Sequence, residues 1–251
     1  MSNLRGVAFV PARAGSKRIP DKNIKCLNGH PLIGYTIQSA IQSGKFDAVI
    51  CLTDSSKYAE IASYYGAEVP CLRPQEISDD TSPDILWLDW VLNYLNSNSR
   101  SFDVFSILRP TSPFRKPETI TRAWELFLNS NCDSIRAIEK CLQHPGKMWV
   151  KNGSTILPLM PFSISGTPWH SNQYASLPEV FVQNASLEIS WVKNVTQKKS
   201  ISGDVVSPFF TEGLEGFDIN NVEDWILAEY YIKKQKSILP EIHLKPYLKK
   251  E

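Results

Sequence analysis

The sequence predicts an α/β fold, a mainly parallel sheet flanked by helices, and three observations carry that prediction. Short apolar, β-prone runs recur along the chain, stretches of helical periodicity separate them, and one irregular segment, residues 142–202, interrupts the alternation with Pro, Gly, Trp and Asn. Residues 7–10 form the first apolar run and lead into a polar loop that lasts to His30. Pro31, whose fixed φ suits a first helical turn, opens an amphipathic stretch to Ser43. Residues 48–52 read as a buried strand ending at Thr53-Asp54, and residues 55–65 as a helix that Gly66 closes. A third strand is expected at 68–72. Ser82-Pro83 then starts a helix whose Leu88, Val91, Leu92 and Leu95 share one face. A strand at 104–108, a helix at 117–129 and a strand at 133–138 follow. Within the irregular segment only 180–182 and 187–192 are β-prone, and the last helix is expected at 222–234.

With 251 residues and 42% hydrophobic content, the chain can bury one sizeable core. A single domain over residues 1–251 is expected, with 142–202 as an insertion inside it. Trp149, Trp169, Trp191 and Phe181 sit in that stretch, too irregular to bury them unaided, so it is expected to mediate a homodimer. The 27 basic and 26 acidic residues nearly cancel, leaving no global field for nucleic acid or an anionic membrane. Any anion site must be local. The first apolar run is too short for a secretory signal, and no run approaches the roughly 20 apolar residues of a membrane span, so a cytoplasmic protein is expected. Five scattered cysteines without a C-x-x-C pair argue against a disulfide framework or a zinc site, and no histidines stand at metal-ligand spacing.

Chemistry concentrates in residues 11–23, just past the first strand, where open α/β sheets bind ligands. Four cations, Arg13, Lys17, Arg18 and Lys22, surround Gly15 and Ser16, whose backbone N–H groups can approach an anion closely. That composition suits a triphosphate. Neither G-x-x-x-x-G-K-[ST] nor G-x-G-x-x-G is present, which disfavours the two commonest phosphate loops; a merely solvated basic loop is the competing reading. Asp218, just before the last helix, can face a cleft and hold a hard cation through oxygen, or serve only as a cap. Thr81 and Ser82 suit a helix N-cap, a role compatible with touching a ligand.

The run from Pro11 to Ile24, followed by Leu27, Gly29 and residues 31–37, resembles the signature of the acylneuraminate cytidylyltransferases, the CMP-sialic acid synthetases. Four further blocks resemble that family in order: Thr53-Asp54, residues 108–115, residues 177–184 and residues 216–220. The resemblance implies a Rossmann-like nucleotidyltransferase fold that joins CMP from CTP to an acidic, nonulosonic sugar and releases pyrophosphate. Under it, Ala12, Arg13, Gly15, Ser16, Lys17, Lys22 and Asn23 hold the nucleotide, with Arg13, Lys17, Lys22 and Asp218 in catalysis. Ala12, Arg73, Thr81 and Ser82 are the candidates for reading the base. Mg²⁺ would sit on Asp218 and on Asn220, where the family usually has a second Asp. Arg109, Thr111, Ser112, Lys147, Gln173, Asn184 and Glu188 are the candidates for the sugar, whose pocket the insertion would complete in a partner subunit. The family usually carries arginines near positions held here by Asn172, Gln173, Tyr174 and Val182, and a Gln where Arg109 stands. Two cations lost and one gained imply an acceptor other than N-acetylneuraminate, such as legionaminic or pseudaminic acid, with Arg109 or Lys147 meeting its carboxylate. Another nucleoside triphosphate, a non-sialic sugar such as Kdo, or a non-catalytic nucleotide-sugar-binding protein are the rival readings.

Overall fold

The computed structural model describes residues 4–79 and 81–248. Its main sheet has six strands: β1 (Gly6–Pro11), β2 (Ala48–Leu52), β3 (Val104–Ile107), β4 (Ser134–Lys140), β5 (Phe181–Trp191) and β6 (Val206–Phe210). They lie in the order β6-β4-β5-β3-β1-β2. β1 pairs in parallel with both β2 and β3, whereas β5 runs antiparallel to β3. The chain therefore steps from β1 to one side and later to the other, which opens a crevice beyond the carboxyl end of β1.

Helices α1 (Leu32–Gln42), α2 (Ser56–Tyr64) and α4 (Pro117–Asn129) pack on the sheet face that carries Ala8, Val10, Val49 and Cys51. α3 (Asp84–Ser97) and α5 (Val192–Lys198) cover the opposite face, with Val7, Phe9, Ile50 and Leu52. Strand alternation sends neighbouring residues of β1 to opposite faces, and both faces are covered, so the strand reads as one apolar run. α6 (Val222–Lys233) closes a smaller cluster, in which Trp225 and Ala228 meet Ile19, Leu32, Phe114 and Ile219. That cluster ties the loop after β1 to the segment before α6. Trp87, Phe9 and Phe105 are fully buried, each side chain contributing about 1.5–3 kcal/mol. Among the described residues no helix is long and apolar enough to cross a membrane.

The predicted α/β architecture, mostly parallel and helix-flanked, is the one observed. The third predicted strand is reduced to one bridge, Glu68 to Ile50, because Pro70 and Pro74 bring no N–H to a ladder. The two β-prone pieces at 180–182 and 187–192 merge into the single strand β5, whose carboxyl-terminal half is buried.

The chain divides into two compact units, residues 138–183 and the remainder. The irregular segment was predicted to reach 202, but β5 from Asn184 onward and α5 belong to the larger unit. Ser186 to Ser190 are buried there, and Trp191 packs against Phe127 at 5.0 Å between ring centres, so Trp191 is a core residue and leaves the exposed aromatic set. The smaller unit contains two hairpins, one pairing Trp149–Asn152 with Thr155–Pro158. None of its described hydrophobic side chains is fully buried, and Trp149, Ile156, Leu157 and Phe162 are exposed.

Candidate active site

The loop after β1 is held at several points. The Ala12 N–H donates to the Leu52 carbonyl at 2.9 Å, and the Ala14 N–H to Asp54 Oδ1 at 2.7 Å. Gly15 has φ 76°, a left-handed conformation that glycine adopts without strain. Asp21, also left-handed at φ 52°, starts the short turn Lys22–Ile24. Its carboxylate accepts bonds from the Tyr58 hydroxyl at 3.0 Å and the Lys57 ammonium at 3.2 Å, both on α2. Those two donors hold the Asp21 carboxyl below its ordinary range. Asn23 is buried, and its amide donates to the Arg13 carbonyl at 3.2 Å, so it braces the loop from within. Lys22 thus stands on a fixed turn.

The ammonium of Lys22 donates to the Ile219 carbonyl at 2.6 Å, and the Ile219 N–H donates to the Thr111 carbonyl at 2.9 Å. The backbone of this one residue joins three segments distant in sequence. Burial pulls Lys22 below the ordinary lysine value of 10.5, partly offset by the charges of Asp218 and Asp224. A cation so placed is partly stripped of water and available to an incoming anion.

Asp218 does not cap α6, because Asn221 and Asp224 do so reciprocally, each side chain accepting from the other's backbone N–H. Instead its Oδ2 accepts from the Asn220 amide at 2.7 Å, while its Oδ1 is buried without a hydrogen-bond partner. A buried carboxylate oxygen costs free energy unless something positive meets it. The donor set, one carboxylate beside one amide, fits a hard cation that keeps waters and takes its other ligands from phosphate. No group of three or more His, Cys, Asp or Glu side chains suited to a metal exists among the described residues, so an all-protein cage does not fit.

A cleft at this sheet edge is lined by Pro11, Arg13, Ser16, Lys22, Arg73 and Thr111 among others, and an adjoining hollow by Lys17, Arg18 and Asn220. The phosphate candidates therefore share one region. The base candidates are engaged with the protein itself. The backbone N–H and hydroxyl groups of both Thr81 and Ser82 converge on Asp79 Oδ1 at 2.6 to 2.9 Å, bringing that carboxyl down to about 2. The expected N-cap is absent here, since α3 starts one residue beyond Pro83. Arg73 is buried and donates through Nε to the Ile77 carbonyl at 2.8 Å.

The sugar candidates divide. Arg109 and Thr111 line the cleft. Arg109 Nη2 meets Asp84 at 2.5 Å and Glu188 at 3.3 Å, and Glu188 also meets Arg136 at 2.7 Å. A guanidinium already balanced by two carboxylates differs from the unpaired carboxylate receptor expected from sequence. Ser112 is 1% exposed and its hydroxyl lies buried, so it presents no donor to the cleft. Asn184 donates to the Thr211 hydroxyl at 2.9 Å. Lys147 and Gln173 belong to the smaller unit, where the Lys147 ammonium donates to the carbonyls of His170, at 2.9 Å, and Asn172.

Sequence reasoning missed Asp79 and Asp84 as cleft residues. Burial works to raise the Asp84 carboxyl, but Arg109 and the Trp87 indole N–H outweigh it and leave it low. Its position at a helix N-terminus signalled a helix start alone. Arg115, the last residue of the 108–115 block, is among the largest fully buried side chains.

Residues 7–154 match a family model described as cytidylyltransferase. Over 241 residues, 94% of this chain and 100% of the relative, the sequence is 32% identical to the CMP-N,N'-diacetyllegionaminic acid synthase of Legionella pneumophila. It is 35% identical over 127 residues to the pseudaminic acid cytidylyltransferase of Campylobacter jejuni, 51% of this chain and 55% of that protein. Against the N-acylneuraminate cytidylyltransferase of Escherichia coli the identity is 39% over 121 residues, 48% of this chain and 28% of that protein. A solved CMP:2-keto-3-deoxy-manno-octonic acid synthetase complexed with CTP superposes with a TM-score of 0.65 at 12% identity, covering 92% of this chain and 99% of that one. At that identity the likeness concerns the fold.

Proposed function

Because this chain belongs to the cytidylyltransferase family, we propose that it transfers CMP from CTP to a nonulosonic acid. A sugar hydroxyl oxygen attacks the α-phosphorus, the bond from that phosphorus to the bridging oxygen breaks, pyrophosphate leaves, and the hydroxyl proton passes to solvent. The observation that carries this reading is the bond from the Lys22 ammonium to the carbonyl of Ile219, the residue after Asp218, beside the cationic loop. Arg13, Ser16 and Lys17 bind and orient the triphosphate, and Lys22 answers the charge that grows on the leaving group. Asp218, with the Asn220 side chain beside it, would hold Mg²⁺, which when bound would neutralise phosphate charge. The test is pyrophosphate release from each nucleoside triphosphate with Mg²⁺ and a panel of acidic sugars. Release with CTP and no acidic sugar on the panel would reject the acceptor class.

Among acceptors, N,N'-diacetyllegionaminic acid is expected to exceed N-acetylneuraminate in kcat/KM. The uncharged Asn172, Gln173, Tyr174 and Val182 support this, as does similarity over the full length of a relative named for that sugar. A pocket with fewer charged donors suits a substrate with fewer hydroxyls to pair. Side-by-side rates decide it: a tenfold advantage for N-acetylneuraminate, about 1.4 kcal/mol, refutes the preference.

The protein acts, in this reading, as a cytoplasmic homodimer without nucleic-acid or membrane partners. Support for the dimer comes from the smaller unit's exposed Trp149, Ile156, Leu157 and Phe162. Light scattering at micromolar concentration is expected to return twice the chain mass of 28.4 kDa. A monomer refutes it.

A further inference from the structure

The guanidinium of Arg115 is 1% exposed, and its hydrogen bonds go only to neutral acceptors. Nη2 donates to the Thr36 hydroxyl on α1 at 2.9 Å, Nη1 donates to the Ser186 carbonyl on β5, and both donate to the Arg109 carbonyl at 3.3 and 3.2 Å. The Ser39 hydroxyl, also on α1, donates to the Arg115 carbonyl at 2.9 Å. One side chain thereby closes the segment from Arg109 to Arg115 into a ring and fastens it to a helix and a strand. Burying a cation with no carboxylate on it is costly, and a neutral apolar side chain would fill the space more cheaply. The acid whose charge bears on it is Asp218, and both Arg115 Nε and Asp218 Oδ1 are buried without partners.

The ring has an outlet into the site. The Thr111 carbonyl accepts from the Ile219 N–H at 2.9 Å, and the Ile219 carbonyl accepts from the Lys22 ammonium at 2.6 Å. We infer that Arg115 is a positioning residue for nucleotidyl transfer, acting through the Arg109–Thr111 segment and the Ile219 backbone on Lys22 and Asp218. This rests on the transfer reaction proposed above. A lysine keeps the charge but cannot span three acceptors in one plane, because its ammonium is a single point on a flexible stem.

The test compares Arg115→Lys and Thr36→Val, each alone and combined with Lys22→Ala, by kcat and KM for CTP in the full-length protein. Arg115→Lys is expected to lower kcat about tenfold or more while KM for CTP shifts less than about threefold. Thr36→Val, which removes one anchor and leaves the arginine, should move kcat the same way by less. In the Lys22→Ala background both fold-losses should be smaller than in the wild type, since the part carried through Lys22 is already gone. Hydrogen exchange read without substrate should rise at the Ile219 amide in both variants, with β1 amides at wild-type protection. Equal fold-losses in both backgrounds, unchanged exchange at Ile219, or equal deprotection of β1 would overturn the inference. If Arg115→Lys does not fold, Thr36→Val runs the same cycle and decides it. A wild-type protein that forms no CMP-sugar would instead refute the proposed reaction, and exchange at Ile219 would still decide whether Arg115 holds that peptide.

Discussion

Replacing Lys22 with alanine is expected to lower kcat by about 10²–10³ while KM for CTP rises far less. Negative charge grows on the leaving pyrophosphate as its bond to the α-phosphorus breaks, so a cation fixed there stabilises the transition state more than the bound substrate. The fixing is visible in the bond to the Ile219 carbonyl and in the turn that starts at Asp21. A pH profile supplies the second check. Burial pulls the Lys22 ammonium below its ordinary value of 10.5, and the charged form is the active one. Activity is therefore present below the lowered pKa and lost as pH rises through it. The alkaline limb of kcat/KM in the wild type should fall below 10.5 and be absent from the residual activity of Lys22→Ala. A variant in which only KM for CTP rises would reduce Lys22 to a nucleotide-binding role.

The second large effect is expected at Asp218. Asp218→Ala should cost about 10²-fold or more in kcat, and excess chelator should abolish pyrophosphate release by the wild type. Its Oδ2 accepts from the Asn220 amide and its Oδ1 accepts no hydrogen bond from the described residues, so the carboxylate keeps an oxygen to offer a cation. The fold should persist in the variant, because Asn221 and Asp224 cap α6 without its help. Asp218→Asn refines the test by keeping the shape and removing the charge. It should raise the Mg²⁺ concentration needed for half-maximal rate, with far-ultraviolet dichroism unchanged. Undiminished turnover in chelator would remove the metal from the reading, and wild-type activity in Asp218→Ala would remove the residue.

Much of the fold was legible because period and punctuation agreed. Residues 48–52 and 117–129 are elements with the predicted limits, where an apolar run or an amphipathic face is bracketed by turn residues. Pattern failed where pairing depends on a distant partner. At 68–72 the local β preference was real, but prolines left one bridge, and β5 joined two separate β-prone pieces because β3 lay beside them. Propensity describes a residue's own backbone, whereas a ladder needs donors and acceptors on both sides.

The site divides in the same way. The cations of the loop after β1 were readable from the chain, since their composition and their place after the first strand are local facts. Who neutralises whom was not. Arg109 reads from sequence as a partner for the sugar carboxylate, yet Asp84 and Glu188, 25 and 79 residues away along the chain, hold it. Thr81 and Ser82 read as a cap or a base contact, yet Asp79 gathers both. Asp218 reads as a metal ligand or else a cap, and only the capping box at Asn221 and Asp224 takes the cap role from it. The sequence by itself determined the alternation of strands and helices and the position of the basic loop after the first strand. Tertiary structure alone decided the charge partners and the Ile219 backbone contacts that join Lys22 to Thr111. Electrostatic and hydrogen-bond partners are set by distance in space, and a linear order carries that distance only for neighbours.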